Sequence, residues 1–403
     1  MKKFAYLIVR EDLNAPLVQS QCIDVISSVN KTWANGRVEL VWFYRIDYIF
    51  RKNHASLSDL RKRLSGFGIK THFIPFISLG FPLQWWALPF TLPQWIVGLL
   101  YLRYFLDFRH YHCRSYHAGL LARIGESLFD CRYIFDPRSP FPEENVLAKN
   151  WDPDSLSRNL WKRLETWIVN GASTTVVVSR ALTSLYEDVD SVSRFSLIPN
   201  NYPDSFETYI ENNAPADEKK YTLAYVGSFG NWNRPGPYLQ LLARLNEDGM
   251  GRVNMLFIVR TESRSELSIQ ADRLGINRSL FDIVTIKQEE VPIWLDKCVF
   301  GVYLMNGKDP RLGVKTVEYL ALGLPLIVSE NIIGAAELVH NEGLGVTWDH
   351  SDFDSMRVAS WMRNAYKEQD RWAISCRRYA REHLSCQGVA LKLISAYEAV
   401  HRG

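Results

Sequence analysis

The chain has 403 residues, of which 47% are hydrophobic, and this is enough to build two domain cores of ordinary size. A formal net charge of +3 is too small to indicate nucleic acid as a general partner. The six cysteines, at positions 22, 113, 131, 298, 376 and 386, lack metal or redox spacing and predict reduced thiols in a cytosolic compartment.

The first half alternates strand-like and helix-like segments. The opening MKK is followed by an apolar run that is too short for a signal peptide and predicts a buried strand. Strands are predicted at 4–9, 38–44, 69–76, 111–113, 132–135, 174–178 and 195–198. Helices are predicted over 17–29, 56–64, from 116 onward and over 156–170. This alternation predicts a parallel sheet covered by helices.

An uncharged stretch interrupts this alternation, because 73–102 contains no Asp, Glu, Lys, Arg or His. Its length would span a bilayer, but four prolines interrupt it and it begins inside a predicted strand, which argues against a transmembrane helix. Two interpretations remain. The stretch is either an internal helix of the first domain or an aromatic patch that enters the interfacial layer of a membrane.

The segment before this stretch favours the membrane interpretation. Between positions 51 and 72 lie six Lys or Arg residues, against Asp59 alone. Basic charge beside exposed aromatic side chains attracts anionic lipid, so 51–102 is a candidate membrane surface. The alternative is a solvated helix face next to a core element.

The two halves are separated by a polar linker over 204–220. In the second half, strands are predicted at 222–226, 254–259, 283–286, 299–304 and 326–328. Helices are predicted over 237–245, 264–274, 291–297, 352–382 and 387–402. The fold class predicted is therefore α/β, with two doubly wound domains of 1–204 and 221–384 facing across a cleft, the default place for a ligand.

A glycine turn follows the first strand of the second half. The run Gly227-Ser228-Phe229-Gly230-Asn231-Trp232 is not the G-x-G-x-x-G dinucleotide motif, so a nicotinamide enzyme is not supported. Arg260 ends the next strand and points to the same sheet edge, where a basic residue pairs with a pyrophosphate. The alternative is a solvated strand end.

The most informative segment is RLGVKTVEYLALGLPLIVS, from Arg311 to Ser329. It predicts a loop, a short helix, a stop at Gly323 and a buried strand. The helix N-terminus and the nearby Lys308, Arg311 and Lys315 favour an anion. Glu318 is placed to accept two ribose hydroxyls, or is a solvated glutamate on an ordinary helix.

This segment resembles the donor-site signature of the GT-B glycosyltransferases, in the retaining group often named family 4. The matching positions are Lys315, Glu318, Tyr319, Ala321, Gly323, Pro325 and Ile327. The resemblance implies that Glu318 holds the nucleotide ribose, while Lys315, Arg311 and Arg260 face the pyrophosphate. It also implies that Gly227 and Ser228 offer backbone to the donor, and that backbone near Ile286 holds the base.

The resemblance extends to the first half, where His112–His117 and Phe135–Ser139 are similar to strand-end segments of the family. It implies an acceptor site formed by Arg114, His117, Asp136, Arg138 and Glu144. The catalytic set implied is Glu318, Lys315, Arg260 and Asp136. From the residues alone, Asp136 and Arg138 are equally an ion pair that closes a turn. The histidines at 110, 112 and 117 are interpreted as polar or structural side chains and not as metal ligands.

Two departures from the family pattern stand out. Many members carry a second glutamate eight positions before the ribose glutamate, where this chain has Pro310 next to Asp309. The basic pair after the glycine turn is also missing, although Arg234 is nearby. These losses leave room for a GT-B-shaped binding or scaffold subunit without turnover, and for a nucleotide-sugar epimerase.

The resemblance implies a retaining glycosyltransferase that moves a sugar from a nucleoside diphosphate donor to a saccharide or lipid-linked saccharide. It implies a role in bacterial surface polysaccharide or lipopolysaccharide assembly. The expected location is cytoplasmic, including the cytoplasmic face of the membrane, and no metal or other cofactor is expected. In the resembled fold, the terminal segment 385–403 crosses back onto the first domain.

Overall fold

The computed structural model describes residues 2–50, 56–78, 84–186, 195–216, 218–230, 233–247, 252–305, 307–349 and 355–402, without the side chains of 49 and 50. The chain forms two compact units. The first contains Met1–Ile198 together with Val389–Gly403, and the second contains Pro199–Gly388.

The first unit is built on seven parallel strands. They are β1 (Lys2–Val9), β2 (Gly36–Arg45), β3 (Thr71–Phe76), β4 (His110–Arg114), β5 (Arg132–Asp136), β6 (Thr174–Val177) and β7 (Phe195–Leu197). Their order in the sheet is β3-β2-β1-β4-β5-β6-β7. The central strands are nearly continuous apolar runs, because helices cover both faces of a parallel sheet.

The helices of this unit connect successive strands. They are α1 (Pro16–Val18), α2 (Val25–Thr32), α3 (Leu57–Gly66), α4 (Leu88–Leu100), α5 (Ser115–Phe129), α6 (Phe141–Leu147) and α7 (Leu156–Gly171). A π-helical turn, Gln19–Asp24, joins α1 to α2, and another, Tyr101–Phe105, extends α4. Short 3-10 helices lie at Ile46–Phe50, Trp85–Ala87 and Ala181–Leu185.

The second unit repeats this architecture with six parallel strands. They are β8 (Tyr221–Gly227), β9 (Met255–Val259), β10 (Phe281–Val284), β11 (Cys298–Tyr303), β12 (Leu326–Ser329) and β13 (Gly345–Trp348). Their order is β10-β9-β8-β11-β12-β13, the order of a dinucleotide-type doubly wound sheet. The predicted fold class, two Rossmann-like parallel sheets flanked by helices, is confirmed.

The helices of the second unit are α8 (Asp204–Asn212), α9 (Pro235–Glu247), α10 (Thr261–Arg273), α11 (Val291–Leu295), α12 (Val314–Ala321), α13 (Ile333–Glu342), α14 (Ser355–Lys367) and α15 (Gln369–His383). Short 3-10 helices lie at Arg278–Leu280 and Gln288–Glu290. Gly323 has φ +80°, which is the left-handed stop predicted after α12.

Several elements differ from the sequence predictions. The supposed linker over 204–220 contains α8, because Phe206 is fully buried and gives this polar segment an apolar anchor. The predicted helix over 352–382 is two helices in its described part, α14 and α15, with a break at Glu368. Helices α6 and α13 and strand β13 were not predicted, and α6 and β13, with 7 and 4 residues, are too short for a clear periodicity.

The last helix, α16 (Cys386–Arg402), begins at the end of the second unit and belongs to the first from Val389 onward. Three polar contacts made by Tyr397 and Glu398 hold it there. The hydroxyl of Tyr397 lies 2.9 Å from Nδ1 of His112 in β4. Glu398 accepts a hydrogen bond from Nε1 of Trp33 at 2.8 Å and pairs with Lys2. The first unit is therefore assembled from the two ends of the chain.

The uncharged stretch 73–102 forms β3 and α4, while 79–83, which include one of its prolines, lie outside the described residues. Trp95 and Leu99 of α4 are fully buried. Gly98 lets the helix approach the sheet, because a Cβ there would lie 2.5 Å from the Phe43 ring. Among the described residues, no helix is both long and apolar enough to cross a membrane.

Candidate functional site

The candidate donor site lies at one edge of the second sheet. Strands β8, β9 and β11 are parallel neighbours, so Gly227, Val259 and Tyr303 at their carboxyl ends share that edge. The strand order reverses between β8 and β11. Ligands of open α/β sheets bind at such a switch point, so the fold alone predicts a ligand site at the carboxyl edge between β8 and β11.

Helix α12 is held against this corner by a tyrosine. The hydroxyl of Tyr319 accepts a hydrogen bond from the amide of Val226 at 3.0 Å and donates to the carbonyl of Val302 at 3.3 Å. Gly301 makes room for the ring, because a Cβ there would lie 2.3 Å from Cγ of Tyr319. These contacts join α12 to β8 and β11 and fix which of its side chains face the sheet edge.

Lys315 of α12 reaches across the glycine turn. Gly227 has φ +139°, which disfavours any other residue, and a Cβ there would lie 2.6 Å from Cε of Lys315 and would displace the end of the lysine side chain. Its Nζ lies 5.4 Å from the ring centroid of Tyr225 and 4.8 Å from that of Tyr303. When the Asn233 amide is oriented to donate to a backbone carbonyl, its oxygen accepts from Lys315 Nζ at 3.1 Å.

Burial disfavours the charged form of Lys315, which lowers its pKa to about 8. Glu318 opposes this shift, while Arg311 adds to it and Asp309 opposes it more weakly. A dianionic ligand at the corner would hold the ammonium in its charged form. Lys315 therefore lies where a bound anion would favour its charged form.

Glu318 lies one turn further along α12 and is 5% exposed. Its Oε1 accepts a hydrogen bond from Nε2 of Gln288 at 3.1 Å. Burial raises the pKa of Glu318 to about 7, although the charge of Lys315 and the Gln288 hydrogen bond oppose the shift. A ligand that donates hydroxyl groups to this carboxylate would favour its charged form, as a ribose does.

Arg311 is already paired within the protein. Its guanidinium contacts both carboxylate oxygens of Asp309, with Nε to Oδ1 at 2.8 Å and Nη2 to Oδ2 at 2.8 Å. Asp309 is itself anchored, because its carbonyl accepts from the amide of Ile333 at 2.8 Å and its amide donates to the carbonyl of Asn331. The position of Arg311 as a pyrophosphate ligand stays a prediction.

The other predicted donor residues surround the same edge. The carbonyl of exposed Ser228 accepts from the hydroxyl of Tyr225 at 3.0 Å, which shapes the glycine turn. Arg260 is exposed at the N-cap of α10, directly after β9. Ile286 is half-buried, two residues beyond the end of β10. Positions 231 and 232 of the predicted turn lie outside the described residues.

In the first unit, Asp136 is the centre of a buried polar network. Its Oδ2 lies 2.8 Å from Nε of Arg138 and 3.1 Å from Nε2 of His112. Burial alone would raise the pKa of Asp136, but the charge of Arg138 and the His112 hydrogen bond outweigh it and lower the pKa. The ion pair that the sequence left as an alternative is therefore present, and Asp136 remains a carboxylate.

Arg114 lies beside Asp136 in the register of β4 and β5. Its Nε donates to Glu11 at 2.8 Å and its Nη2 to Gln21 at 3.0 Å. Within the described part of the chain, Nη1 of Arg114 and Oδ1 of Asp136 are buried without hydrogen-bond partners. Ser115, the next residue, has φ +67°, a strained backbone conformation of the kind found at functional sites.

His117 was predicted to contact the acceptor, but it is 7% exposed and lies within an aromatic cage. Its ring centroid is 6.0 Å from that of Trp95, 5.2 Å from Phe141 and 5.2 Å from Trp161. Burial, with a smaller contribution from Arg10, lowers its pKa to about 3. The structure thus places His117 in the core as a neutral side chain. Glu144 accepts a hydrogen bond from Oγ of Ser139 at 2.6 Å.

Sequence reasoning did not assign three side chains of the donor corner: Gln288, Tyr319 and Asn233. Tyr319 stands inside the recognised motif, but its partner Val226 is 93 positions away in the sequence. Gln288 follows a strand and carried the only available signal, its position near the sheet edge. These contacts arise from packing between distant segments, which spacing within one segment does not encode.

Comparison with solved structures shows which fold class these features belong to. The Anabaena protein Alr3699/HepE in complex with UDP and glucose is similar over 99% of this chain and 100% of its own, with TM-score 0.65 and 13% identity. Sucrose-phosphate synthase from Thermosynechococcus elongatus is similar over 100% of both chains, with TM-score 0.63 and 14% identity. A glycosyltransferase from Rickettsia africae is similar over 100% of this chain and 99% of its own, with TM-score 0.69 and 10% identity. The chain has the GT-B fold.

A family model narrows this class. Residues 207–381 match the family described as glycosyl transferases group 1. Most of the second unit therefore matches the group 1 glycosyl transferases, and this match supports the predicted enzyme class, a glycosyltransferase. No curated protein sequence matches the chain significantly.

Proposed function

We propose that this enzyme is a retaining glycosyltransferase that uses a nucleoside diphosphate sugar and a saccharide or lipid-linked saccharide acceptor. The proposal includes a role in bacterial surface polysaccharide or lipopolysaccharide assembly, on the cytoplasmic face of the membrane. One observation carries the donor class: α12 presents Lys315 and buried Glu318 at the switch-point edge, with their pKa values moved to about 8 and about 7. The complex of HepE with UDP and glucose supports a uridine nucleotide as the first donor to try.

Each part of the donor then has a partner. The pyrophosphate contacts Lys315 and the backbone of the Gly227–Ser228 turn, at the N-terminal end of α12, where the helix dipole also favours negative charge. The ribose hydroxyls donate to Glu318, which Gln288 orients. Arg260 and Arg311 supply further positive charge, and for Arg311 this requires release from, or sharing with, Asp309.

The acceptor contacts the carboxyl ends of β4 and β5. A hydroxyl that donated to Oδ1 of Asp136 and accepted from Nη1 of Arg114 would satisfy both buried atoms, and to reach them the acceptor must displace the groups that now cover them. Arg138 keeps the pKa of Asp136 low, so this carboxylate positions the acceptor and is a poor proton acceptor at neutral pH. Glu144 contributes a further contact on this side.

Retention follows from transfer on a single face of the sugar. The bond between the anomeric carbon and the β-phosphate oxygen breaks, and the acceptor oxygen bonds to the same face of that carbon. The acceptor proton passes to the leaving β-phosphate oxygen, and the nucleoside diphosphate departs. Lys315 and the backbone amides stabilise the developing negative charge, so the proposal requires no metal ion.

Donor binding tests the proposed nucleotide site directly. UDP and GDP are titrated while the melting temperature is followed, since a ligand that binds only the folded state raises it. We expect at least one nucleotide to raise the melting temperature, and Glu318→Ala and Lys315→Ala to weaken its binding at least tenfold. Glu342→Ala, an exposed glutamate on α13, is the matched control. Equal binding by all variants would contradict the assignment.

Turnover tests the reaction class. With UDP-glucose and a saccharide acceptor panel, we expect UDP release that is unchanged by EDTA and lost in Glu318→Ala. The product should keep the anomeric configuration of the donor, as read by NMR coupling constants. Tight donor binding without any turnover would support a binding subunit instead. Conversion of the nucleotide sugar in the absence of acceptor would support an epimerase.

A further inference from the structure

One face of α4 and its π-helical extension is apolar and open to solvent. Phe90, Val97, Tyr101 and Phe105 recur at helical spacing along it and are 44–79% exposed. The remaining exposed aromatic side chains of this surface are Trp85, Trp86 and Tyr104. We name these seven residues the α4 face. Contiguous exposed apolar surface of this kind marks an interaction site.

The opposite side of α4 is firmly packed, so the exposure is not the result of a loose helix. Trp95, Leu99 and Leu102 are fully buried. Gly98 lies so close to Phe43 that a methyl group would clash with the ring. The helix is therefore a rigid support that presents the α4 face outward.

Composition identifies the partner better than apolarity alone. Six of the seven residues of the α4 face are Trp, Tyr or Phe, and Trp and Tyr prefer the headgroup level of a membrane. With 13 residues, α4 is too short to cross a bilayer, and the side that it does not bury against the sheet is also apolar. Such a helix lies in the plane of the membrane interface.

Basic side chains gather at the Phe105 end of the α4 face. Lys3 donates to the carbonyl of Leu106 at 2.9 Å, which joins the amino edge of the sheet to this end of the helix. Lys3 and Lys70 lie 3.8 Å and 3.5 Å from Glu39, and Arg37 pairs with the same carboxylate. Arg103 and Arg109 share Asp107. Five basic side chains thus face two carboxylates, which favours an anionic surface.

The basic helix α3 does not belong to this surface, which corrects the single patch predicted over 51–102. Arg61 of α3 lies over the ring of Phe73, 5.3 Å from its centroid. Gly98 of α4 instead packs against Ile74, the next residue of β3. Successive side chains of a strand point to opposite faces, so α3 and α4 lie on opposite faces of the sheet. Positions 51–55 are outside the described residues.

We propose that the α4 face docks this enzyme onto anionic lipid. In this orientation α4 lies parallel to the bilayer, and the five basic side chains near Phe105, which are Lys3, Arg37, Lys70, Arg103 and Arg109, lie against the headgroups. The helix follows β3, so its Trp85 end lies toward the carboxyl edge of the first sheet, where the proposed acceptor site is. This orientation brings a lipid-linked acceptor to that edge. The docking proposal depends on the proposed function only for the identity of the acceptor.

Vesicle co-sedimentation of the full-length protein tests the docking without any need for turnover. We expect binding to vesicles of phosphatidylcholine with phosphatidylglycerol, and at least tenfold weaker partitioning of the triple variant Phe90→Ser, Tyr104→Ser, Phe105→Ser. Met356→Ser and Ile374→Ser, two exposed apolar side chains of the second unit, are the matched controls. UDP binding should be unchanged in all of them, so failure of docking and failure of the donor site are distinguishable.

Two charge reversals test the face more sharply. Arg109→Glu should weaken binding to anionic vesicles several-fold and leave the weak binding to neutral vesicles unchanged. Lys62→Glu on α3 makes the same charge change on the opposite face and should have no effect. Equal weakening by both variants, or wild-type binding by the triple variant, would overturn the proposal. So would an α4 face that mediates self-association by gel filtration and no vesicle binding.

Discussion

Glu318, the proposed ribose ligand, is a buried carboxylate whose ionisation lowers the stability of the folded protein. The group is 5% exposed, and burial raises its pKa to about 7. Its ionised form is therefore more costly in the folded protein than in the unfolded chain. Above about pH 7, the unliganded protein contains a buried, ionised Glu318 carboxylate, which hydrogen bonds from nucleotide hydroxyls would stabilise.

Replacement of Glu318 by Gln should separate stability from binding. Because the folded pKa is raised from 4.5 to about 7, the glutamate destabilises the unliganded protein as pH rises through this interval. We expect Glu318→Gln to increase the free energy of unfolding by up to about 3 kcal/mol at pH 8.5, from roughly 1.36 kcal/mol per pKa unit. The gain should vanish near pH 4, and UDP affinity should fall. Urea unfolding at the two pH values measures this, and an equal gain at both would contradict it.

Gly227 controls the position of Lys315. In Gly227→Ala, the new Cβ would lie 2.6 Å from Cε of Lys315, at a φ of +139° that alanine disfavours. We expect a loss of about 1–3 kcal/mol in stability from the strained backbone and at least tenfold weaker UDP binding.

The matched control is Gly236→Ala in α9, where a Cβ would meet no atom within 4 Å. A helical alanine should preserve binding and stabilise the protein by up to about 1 kcal/mol. Calorimetric titration with UDP compares the two. If Gly227→Ala bound UDP as the wild type does, Lys315 would not contact the diphosphate in its present position.

At the scale of elements, α16 is the clearest case of a helix whose partner is remote in the chain. Tyr397 is 1% exposed, and its hydroxyl is a partner of His112 across 285 positions of sequence. Tyr397→Phe leaves buried Nδ1 of His112 without this partner. We expect a loss of about 1–3 kcal/mol, measured by urea unfolding.

Leu391→Ala is the matched control for α16, because this leucine is 50% exposed on the same helix. It should change the unfolding free energy by no more than about 0.5 kcal/mol. A Tyr397→Phe protein as stable as the control would show that the hydroxyl contact contributes little to docking of the helix.

Elements with a strong period were predictable, and elements held mainly by tertiary contacts were not. Strand β11 and helix α12 were recognised from apolar spacing and the glycine stop. Helix α8 was not, because its sequence is mostly polar and Phe206 is its only fully buried side chain. The face of the sheet on which α3 or α4 lies depends on the two strands that the helix connects. This is set by the strand order of the sheet, which the local sequence pattern does not show.

At the scale of the molecule, the two units differ in how the chain builds them. The second is continuous from Pro199 to Gly388, whereas the first needs the terminal helix from Val389 onward. All the donor residues proposed above lie in the second unit. We therefore expect a fragment of residues 199–388 to fold and to show a UDP-dependent rise in melting temperature.

The complementary fragment 1–198 should be less stable than the same fragment with 389–403 added, because it lacks the Tyr397 and Glu398 contacts. Circular dichroism and thermal melts of the three fragments measure both expectations. A folded 199–388 fragment that ignores UDP would mean that the donor site needs residues of the first unit.

The sequence by itself determined the α/β alternation and the two-domain organisation, because apolar period and glycine position are local signals, and its resemblance to a family signature drew attention to the segment around Glu318. Only the tertiary structure decided that Arg311 pairs with Asp309, that His117 lies in an aromatic cage, and that α3 and α4 occupy opposite faces. The physical reason is the sequence separation between the residues that interact. Local pattern specifies elements, whereas contacts between distant segments and the balance of burial and charge are set by how those elements pack.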